Sequence, residues 1–502
     1  MSDKLAQEKE LLKEIASRPP LGKAIGYFKL SGPGLLQTGM TLGAGSAAAS
    51  VIAGASFGYK LLWVQPIAMF LGIMMFMALS NIVLTVRERP YWSFMGEARK
   101  IWGPLVVLVF FWAFGSVMAS VIWHFPQYGL AAGAVRSIVQ GFVPDAELQV
   151  PVYVQDAEGN AVQAGTHFTH FGYFVSFAAG LTILLINLMV VFNYGRGGIG
   201  IKVYEWFMRG IIALVFLTFM LVVAMNVHKI DWIEMLKGFI GWYGIPYHED
   251  PMEYAKTLTL VLGMVGASVG INMTFMYPYS QLKKGWGPEH KTLAKWDLGL
   301  TMFIPFVIIT SLVMVGMTIS GVYTGDDIVN MGISPIAAAS ALQSDFISQR
   351  VATIIFCGGL IGMACGAIAA HMTCCGFVLQ EMFGMEPSTW RFRLFAMTPS
   401  IGIFGVVFQL PLWFPVAASA ICFTMLPVAY LIFLILNNRR SYIGDAVGKG
   451  AKRVVFNTLL VLALLMAVIG ASAQIKTRVI DRIFPPKVVL QIVEEPVIDV
   501  ND

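Results

Sequence analysis

Charged residues are scarce in this sequence. Asp, Glu, Lys and Arg together make up 13% of the 502 residues, whereas a soluble globular domain carries roughly a quarter. A chain with so little charge cannot cover a water-facing surface, which excludes an ordinary soluble domain. The sequence is instead apolar, with 57% hydrophobic residues and a mean hydropathy of +0.72. Because one helical span needs ~20 mostly apolar residues, the composition predicts a protein that lies mainly in lipid.

Cysteine is also rare, and its positions exclude the usual metal and disulfide frameworks. All five cysteines fall inside apolar segments, and none has a spacing that suits a metal site. They are Cys357, Cys365, Cys374, Cys375 and Cys422. We interpret them as small core residues, and we expect neither a metal site nor a cofactor.

Three further features are missing from the sequence. No nucleophile–base constellation or phosphate loop lies in a water-facing segment, so we expect no catalytic residue and no enzyme. The net charge of +5 comes from short loops and not from a basic patch with interleaved aromatics, so we expect no nucleic-acid partner. The charged N-terminus, residues 1–31, lacks the apolar core of a signal peptide. It predicts a cytoplasmic amphipathic helix near the membrane surface.

Eleven apolar stretches are the candidate membrane spans. They are 33–58, 61–86, 104–125, 169–192, 204–227, 256–281, 298–321, 349–380, 393–409, 413–436 and 453–475. The third is expected to continue past Pro126 as a kinked helix to residue 142. Lys and Arg number 23 in the N-terminal tail and the loops on its side, against ten on the other side. The positive-inside rule therefore predicts a cytoplasmic N-terminus and an extracellular C-terminus in the cell membrane, as in a bacterial inner membrane.

The spans divide into two sets of five. We expect a first five-helix repeat at 32–227, a second at 228–438, a cytoplasmic loop with the eleventh helix at 439–475, and an extracellular tail at 476–502. The long extracellular loop 143–167 alternates around Glu158-Gly159-Asn160, and this alternation predicts a small hairpin.

Glycines interrupt the first span and the sixth. The clusters are Gly39, Gly43 and Gly45 in one, and Gly263, Gly266 and Gly270 in the other. Small residues often serve close helix packing alone. At matching positions of two five-span halves, however, they are typical of an inverted-repeat transporter with its site at mid-membrane. The pattern predicts that both helices are discontinuous.

Several runs of sequence resemble, in order, the Nramp metal transporters. They are GPGLLQ (Gly32–Gln37), ASFGYKLLWV (Ala55–Val64), GIKVYEWFMRGIIALV (Gly200–Val215), GASVGINMTFMY (Gly266–Tyr277), SPIAAASALQ (Ser334–Gln343), GLIGMACGAIAAHMTCCGFVLQEMFG (Gly359–Gly384) and LPVAYLIFLILNNRRSYIGD (Leu426–Asp445). The resemblance spans residues 32–445. It implies an all-α membrane protein with a LeuT-like 5+5 inverted repeat.

The metal-binding motifs of that family do not match. Its helix-one turn Asp-Pro-Gly-Asn falls on Gly43-Ala44-Gly45-Ser46, and its helix-six turn Met-Pro-His falls on Gly270-Ile271-Asn272. A later helix-six His falls on Tyr277, and the acidic pair of helix three falls near His124 and Gln127. Two acidic residues of the family are kept as Glu205 and Glu381, for which we expect structural ion pairs.

The altered turns favour a small anion, of bicarbonate size, or a small polar solute over a transition metal. The glycine-rich turn presents N–H groups at a helix N-terminus, which suits an anion or a carboxylate. The substrate-binding candidates are Thr41, Gly43, Ala44, Gly45, Ser46, Ser268, Gly270 and Asn272. Transport coupled to H⁺ or Na⁺ is expected, with His124 and Gln127 as the coupling candidates. For His124 and His371, a neutral packed histidine is the alternative interpretation.

Two other functions stay open. One is a divalent-cation transporter of the Mg²⁺ or Mn²⁺ type that uses backbone carbonyls and Asn272, with Met40, Met264, Met273 and Met276 as nearby soft ligands. The other is a membrane sensor that does not transport. Such a sensor normally carries a large soluble domain, and only about 27 residues follow the last span.

Overall fold

The computed structural model describes residues 2–155, 161–195, 198–329, 333, 335–339, 347–407 and 413–476. Two helices precede the first span, α1 (Ser2–Ser17) and α2 (Pro20–Leu30). They fold back on each other, since Gly26 leaves room for the Ile15 side chain. Both pack on the ends of the membrane helices through a cluster that includes Leu12, Tyr27 and Trp286.

The remaining elements follow in chain order. They are α3 (Pro33–Thr41), α4 (Ala44–Phe57), α5 (Val64–Val86), α6 (Pro90–Ile101), α7 (Leu105–Gln140), α8 (Asp145–Leu148), β1 (Gln149–Gln155), β2 (Ala161–Phe168), α9 (His170–Gly195), α10 (Ile199–Met225), α11 (Trp232–Phe239), α12 (Pro251–Ser268), α13 (Ile271–Lys283), α14 (Lys291–Asp297), α15 (Ile304–Ile319), α16 (Pro335–Ala339), α17 (Gln349–Met382), α18 (Thr389–Ala396), α19 (Phe414–Phe423), α20 (Leu426–Asn437), α21 (Arg440–Ile443) and α22 (Gly450–Ile475). A π-helical segment, Leu298–Phe303, joins α14 to α15.

Both glycine-rich spans are discontinuous, as the sequence predicts. The first consists of α3 and α4, which meet at a bend of 51°. The sixth consists of α12 and α13, which are separated by Val269 and Gly270 in extended conformation. The third span runs without a break through Pro126, as expected.

The number of regular spans is slightly lower than the eleven expected. In the described part of the chain, nine helices are long and apolar enough to cross a membrane, and the bent pair α3–α4 makes ten. The predicted ninth span, 393–409, is instead the end of α18 and a 3₁₀ segment, Thr398–Val406. Its last two residues lie outside the described residues.

The loop 143–167 contains the expected hairpin. Strands β1 and β2 pair antiparallel from Gln149 opposite Phe168 to Gln155 opposite Ala161. Its turn at Glu158-Gly159-Asn160 lies outside the described residues. The tail beyond residue 476 and half of the run Ser334–Gln343 also lie outside them.

The buried centre of the bundle surrounds the first span. All fourteen residues of α4 are buried, and α4 packs against α12, α15 and α19. The helices α10 and α22 expose long apolar side chains such as Trp206, Leu217 and Ile469, as expected of surfaces that face lipid. The two discontinuous helices therefore meet inside protein, where irregular backbone is tolerated at membrane depth.

Candidate functional site

A small cavity lies between the two helix breaks. Its empty volume is about 290 Å³. It is lined by Met40, Thr41, Gly43, Gly45, Ser46, Trp123, Gln127, Gly266, Ala267, Gly270, Asn272, Met273 and His371. None of these thirteen residues carries a carboxylate, and His371 is the single titratable one among them. The cavity is thus polar but without a fixed negative charge.

The break in the first span is fixed by side chains that bind its loose backbone groups. The N–H of Ala44, at the start of α4, donates to Gln127 Oε1 at 2.8 Å. The Ser46 hydroxyl donates to the carbonyl oxygens of Thr41 at 2.5 Å and Gly43 at 3.1 Å. Helix ends leave such groups without intrahelical partners. The hydroxyl of Ser46, a predicted substrate-binding residue, thus closes the turn.

Two glycines allow close approach at this break. A Cβ on Gly43 would lie 2.7 Å from Gln127 Nε2 and 2.8 Å from Ala367 Cβ. A Cβ on Gly45 would lie 2.3 Å from Trp123 Cη2 and 2.5 Å from Ser419 Oγ. All four distances are shorter than real Cβ contacts, so a side chain at either position would displace its neighbours.

The break in the sixth span is organised by Asn272. Its Nδ2 donates to His371 Nδ1 at 2.8 Å and lies 3.3 Å from Ser120 Oγ. Its Oδ1 accepts the N–H of Met273 at 3.0 Å. The N–H of Gly270 points to the Met273 sulfur at 3.2 Å. Asn272 therefore joins the start of α13 to α7 and α17 as one hydrogen-bonded unit.

A pair of buried histidines stands beside this unit. The rings of His124 and His371 lie edge to face, with centroids 5.6 Å apart. His124 Nδ1 is 3.0 Å from the Ser120 carbonyl oxygen. A carbonyl oxygen only accepts, so Nδ1 carries the proton. Nε2 of His124 is buried and has no hydrogen-bond partner among the described residues. His124 thus lies behind the cavity wall, and His371 lies in the wall.

Seven of the ten predicted site residues line the cavity. They are Thr41, Gly43, Gly45, Ser46, Gln127, Gly270 and Asn272. The other three do not: Ala44 contributes its N–H to Gln127, Ser268 donates its hydroxyl to the Met264 carbonyl at 3.0 Å, and His124 is covered by His371. Ala44 and Ser268 belong to the helix ends that frame the site.

Six lining residues were not among the ten substrate-binding and coupling candidates. They are Met40, Trp123, Gly266, Ala267, Met273 and His371. Met40 and Met273 were considered only as soft ligands for a divalent cation, and His371 only as an ionisable residue with packing as its alternative role. Trp123 stacks on His371 at an interplanar angle of 9°. The sequence contains a signal for both residues. His371 is an ionisable residue inside an apolar span, and Trp123 precedes another one, His124; such residues are functional candidates.

A buried carboxylate binds the N-terminal end of α3. Asp297, at the end of α14, accepts the N–H of Gly32 at 3.0 Å and that of Gly34 at 2.7 Å. Beside it, Lys284 pairs with Glu205 at 2.7 Å. On α17, Glu381 pairs with Arg89 at 2.9 Å. Glu205 and Glu381 thus form structural ion pairs, as expected.

The donor set of the cavity differs from that of a typical metal centre. Among the described residues, no three His, Cys, Asp or Glu side chains cluster closely enough to hold a metal ion. The available groups are amides, hydroxyls, one imidazole, the thioethers of Met40 and Met273, and backbone groups at the helix ends.

A helical membrane protein with two interrupted helices facing one central cavity belongs to the LeuT-like class of transporter folds. Solved structures agree with this class. Variants of the Eremococcus coleocola manganese transporter match at 15% identity with TM-scores of 0.62 and 0.63, over 90% of this chain and 87% of theirs. MhsT in complex with L-phenylalanine matches at 15% identity and a TM-score of 0.54, over 87% and 97%. Mhp1, a nucleobase-cation-symport-1 family transporter, matches at 14% identity and 0.52, over 91% and 94%.

The family model for Nramp, described as natural resistance-associated macrophage protein-like, matches residues 165–472. The chain belongs to this family. A comparison with curated protein sequences gave no match. The expected LeuT-like fold, the resemblance to Nramp and the multi-pass membrane location are therefore confirmed. The protein is a membrane transporter of the Nramp family, and this class supports the expectation that it is not an enzyme.

Proposed function

We propose that this chain is a secondary active transporter of a small anion, of bicarbonate size, or of a small polar solute. The substrate binds in the cavity between the two breaks and is coupled to H⁺ or Na⁺. The observation that carries the proposal is the charge of the cavity: its thirteen lining residues hold no carboxylate. A divalent cation at membrane depth usually needs compensating negative charge.

Two helix N-termini support the same assignment. Both α4, with 14 residues, and α13, with 13 residues, begin at the cavity. The N-terminus of a helix carries a partial positive charge and favours an anion. Gln127 adds to this, because its Oε1 is bound to the Ala44 N–H and its Nε2 lies on the side of Gly43.

A divalent metal is the second candidate. The family itself and the likeness to a manganese transporter favour it. In this cavity, the ligands for a metal would be the thioethers of Met40 and Met273, the His371 imidazole and backbone carbonyls. These are neutral groups, and a doubly charged ion bound by them alone would keep its full charge in the membrane interior.

The proposed function includes an orientation of the chain in the membrane. We place the N-terminus in the cytoplasm and the C-terminus outside, in the cell membrane, because Lys and Arg are concentrated on the side of the N-terminus.

The deciding experiment is uptake into proteoliposomes, with and without a pH or Na⁺ gradient. Bicarbonate, other small anions, small polar solutes, Mn²⁺ and Mg²⁺ are offered in parallel. Currents on a solid-supported membrane report the sign of the charge that crosses. We expect saturable uptake of an anion or a neutral solute and none of Mn²⁺. Saturable Mn²⁺ uptake would establish the metal candidate, and no uptake of any solute would favour the sensor.

Gly43 provides a matched pair of variants for the sign of the substrate. Because any side chain here meets Gln127 and Ala367, loss of uptake in Gly43→Asp alone proves nothing about charge. Gly43→Asn has the same shape without the charge. For an anion, uptake by Gly43→Asp should be roughly tenfold or more below that by Gly43→Asn, which corresponds to about 1.4 kcal/mol. Uptake by the Asp variant equal to or above the Asn variant would mean a cationic substrate.

A further inference from the structure

A second cavity, separate from the transport site, lies where four membrane helices end. It is bounded by the end of α5, by α14, by the end of α20 and by the start of α22, with an empty volume of about 990 Å³. Its polar side holds four basic residues: Lys291 and Lys295 from α14, and Lys452 and Arg453 from α22. None of the described residues that line it is acidic.

The four cations have no carboxylate partner within the part of the chain that the structure describes. Lys291 donates to neutral oxygens, Asn81 Oδ1 at 2.9 Å and Thr85 Oγ1 at 2.6 Å. Arg453 donates to Asn438 Oδ1 at 3.2 Å. Lys291 and Lys295 stand four residues apart on one helix, a spacing at which like charges repel. Lys291 is half-buried and the other three are exposed, and four clustered positive charges attract an anion.

Asp445, which precedes the lining residue Ala446, pairs with other cations. Its carboxylate lies 3.3 Å from Arg440 and 3.8 Å from Lys449, and its side chain is 80% exposed. Asp445 therefore does not neutralise the four basic residues of the cavity.

Apolar side chains also line this cavity. They are Met77, Leu298 and Phe456. On other faces of the helix that carries Phe456, Val454 and Val455 are 65% and 60% exposed, as expected of a helix that borders lipid. A pocket with basic and apolar side chains beside such a helix suits an amphiphile with a negatively charged head.

We propose that this cavity binds the headgroup phosphate of an anionic phospholipid. Lys291, Lys295, Lys452 and Arg453 neutralise the phosphate, and the acyl chains lie along α22. All four residues belong to the side that the Lys and Arg bias assigns to the cytoplasm, where basic pockets between membrane helices bind anionic headgroups. The bound lipid joins the charges of α14 to those of α22.

Lipid retention by the purified full-length protein tests this proposal. The protein in detergent is titrated with phosphatidylglycerol or phosphatidylcholine, and bound lipid is counted by native mass spectrometry. We expect tight retention of phosphatidylglycerol and weak retention of phosphatidylcholine. The double variant Lys295→Gln with Lys452→Gln, at two exposed positions, should bind phosphatidylglycerol on the order of tenfold more weakly.

A control removes the same amount of charge elsewhere on that side. Lys29→Gln with Arg99→Gln, also exposed, should leave retention unchanged. Equal retention of both lipids, or equal loss in both double variants, would overturn the proposal. Displacement of the lipid by glycerol 3-phosphate at the lipid's own affinity would do so too, because it would assign the pocket to a soluble phosphate compound.

Discussion

Single polar side chains give the transport cavity its shape. Gln127 and Asn272 stand on opposite walls, and each accepts a backbone N–H from the start of a broken helix. Ser46 closes the turn on its own side. Since these groups are already hydrogen-bonded, the site is held in one geometry before a substrate arrives, which lowers the ordering cost of binding.

His124 is the proposed proton carrier if the coupling ion is H⁺. Its buried Nε2 has no hydrogen-bond partner in the described part of the chain, and its ring lies against that of His371. Imidazole ordinarily titrates near neutral pH. His124→Gln should leave substrate binding largely intact and flatten the pH dependence of uptake. Both are measured in proteoliposomes over pH 5–8.

His371→Gln serves as the comparison for that variant. His371 binds Asn272 and lines the cavity, so its replacement should weaken substrate binding itself. A pH dependence that is unchanged in His124→Gln would assign His124 to packing.

The residues of the helix breaks could be predicted from the sequence, but the opposite wall could not. Gly43, Gly45 and Gly270 are local signals, because glycine permits a turn wherever it stands. His371 depends on how α17 is rotated. Nearly every side chain in the middle of α17 is buried, so hydrophobic periodicity does not indicate which of its faces meets the cavity. The same holds for Ala44, on a helix that is buried on all sides, and for Ser268, in the buried last turn of α12.

At the scale of elements, the break between α3 and α4 is a packing feature as much as a turn. The ring of Trp123 occupies the space that a side chain at Gly45 would need. The transition from helix to turn is thus stabilised by α7 from outside the first span.

Substitution at Gly45 should therefore disturb α7. Gly45→Ala places a methyl group against Trp123 and Ser419, an overpacking that costs ~1–3 kcal/mol, and Gly45→Val should cost more. We expect a lower Tm and loss of uptake, measured on purified protein and in proteoliposomes. The double variant Gly45→Ala with Trp123→Phe removes the colliding ring and should recover part of the stability.

Gly210→Ala is the control, because nothing lies within 4 Å of a Cβ at that helical position. It should be neutral or slightly stabilising. Unchanged stability in Gly45→Ala would contradict the packing interpretation.

The long apolar helices are the elements that the sequence predicts most accurately. The ninth span was predicted as a regular helix, yet Thr398–Val406 is a 3₁₀ segment. Gly402 and Gly405 there lie against the backbone of α7 beside His124 and Phe125. This close approach depends on the position of α7, which the hydropathy of residues 393–409 does not indicate.

Across the whole molecule, ion pairs fasten the helix ends on one side. Glu205 binds Lys284, Glu381 binds Arg89, and Glu97 binds Arg439 and Lys100. The pairs Glu205–Lys284, Glu381–Arg89 and Glu97–Arg439 each join distant parts of the chain, whereas Glu97–Lys100 is local to α6. The Glu97–Arg439 pair connects α6 to the segment after α20.

The Glu97 cluster should make stability depend on pH. Burial alone would raise the pKa of Glu97, but hydrogen bonds from Arg439 and Lys100 outweigh it and hold the pKa below its ordinary 4.5. A lowered pKa in the folded state contributes stability above pH 4.5, and this contribution is lost as the pH falls below that value. Glu97→Gln should thus cost roughly 1–3 kcal/mol at pH 7, and the Tm difference from the native protein should shrink by pH 4.

The exposed pair Glu14–Arg18 gives the reference for this measurement. Its side chains are 63% and 39% exposed, and exposed pairs contribute little. Glu14→Gln should leave Tm unchanged at both pH values. A Tm difference for Glu97→Gln that grows on acidification would contradict the assignment.

The 51° bend between α3 and α4 has a mechanical consequence. When α3 shifts along its own axis, the component of that shift perpendicular to α4 is proportional to the sine of the bend angle, and the parallel component to its cosine. At this angle the sine is larger, so the shift is mainly perpendicular to α4. Asp297 holds the N-terminal end of α3 through two hydrogen bonds. A movement of that end along the axis of α3 would therefore displace the cavity wall mainly sideways relative to α4.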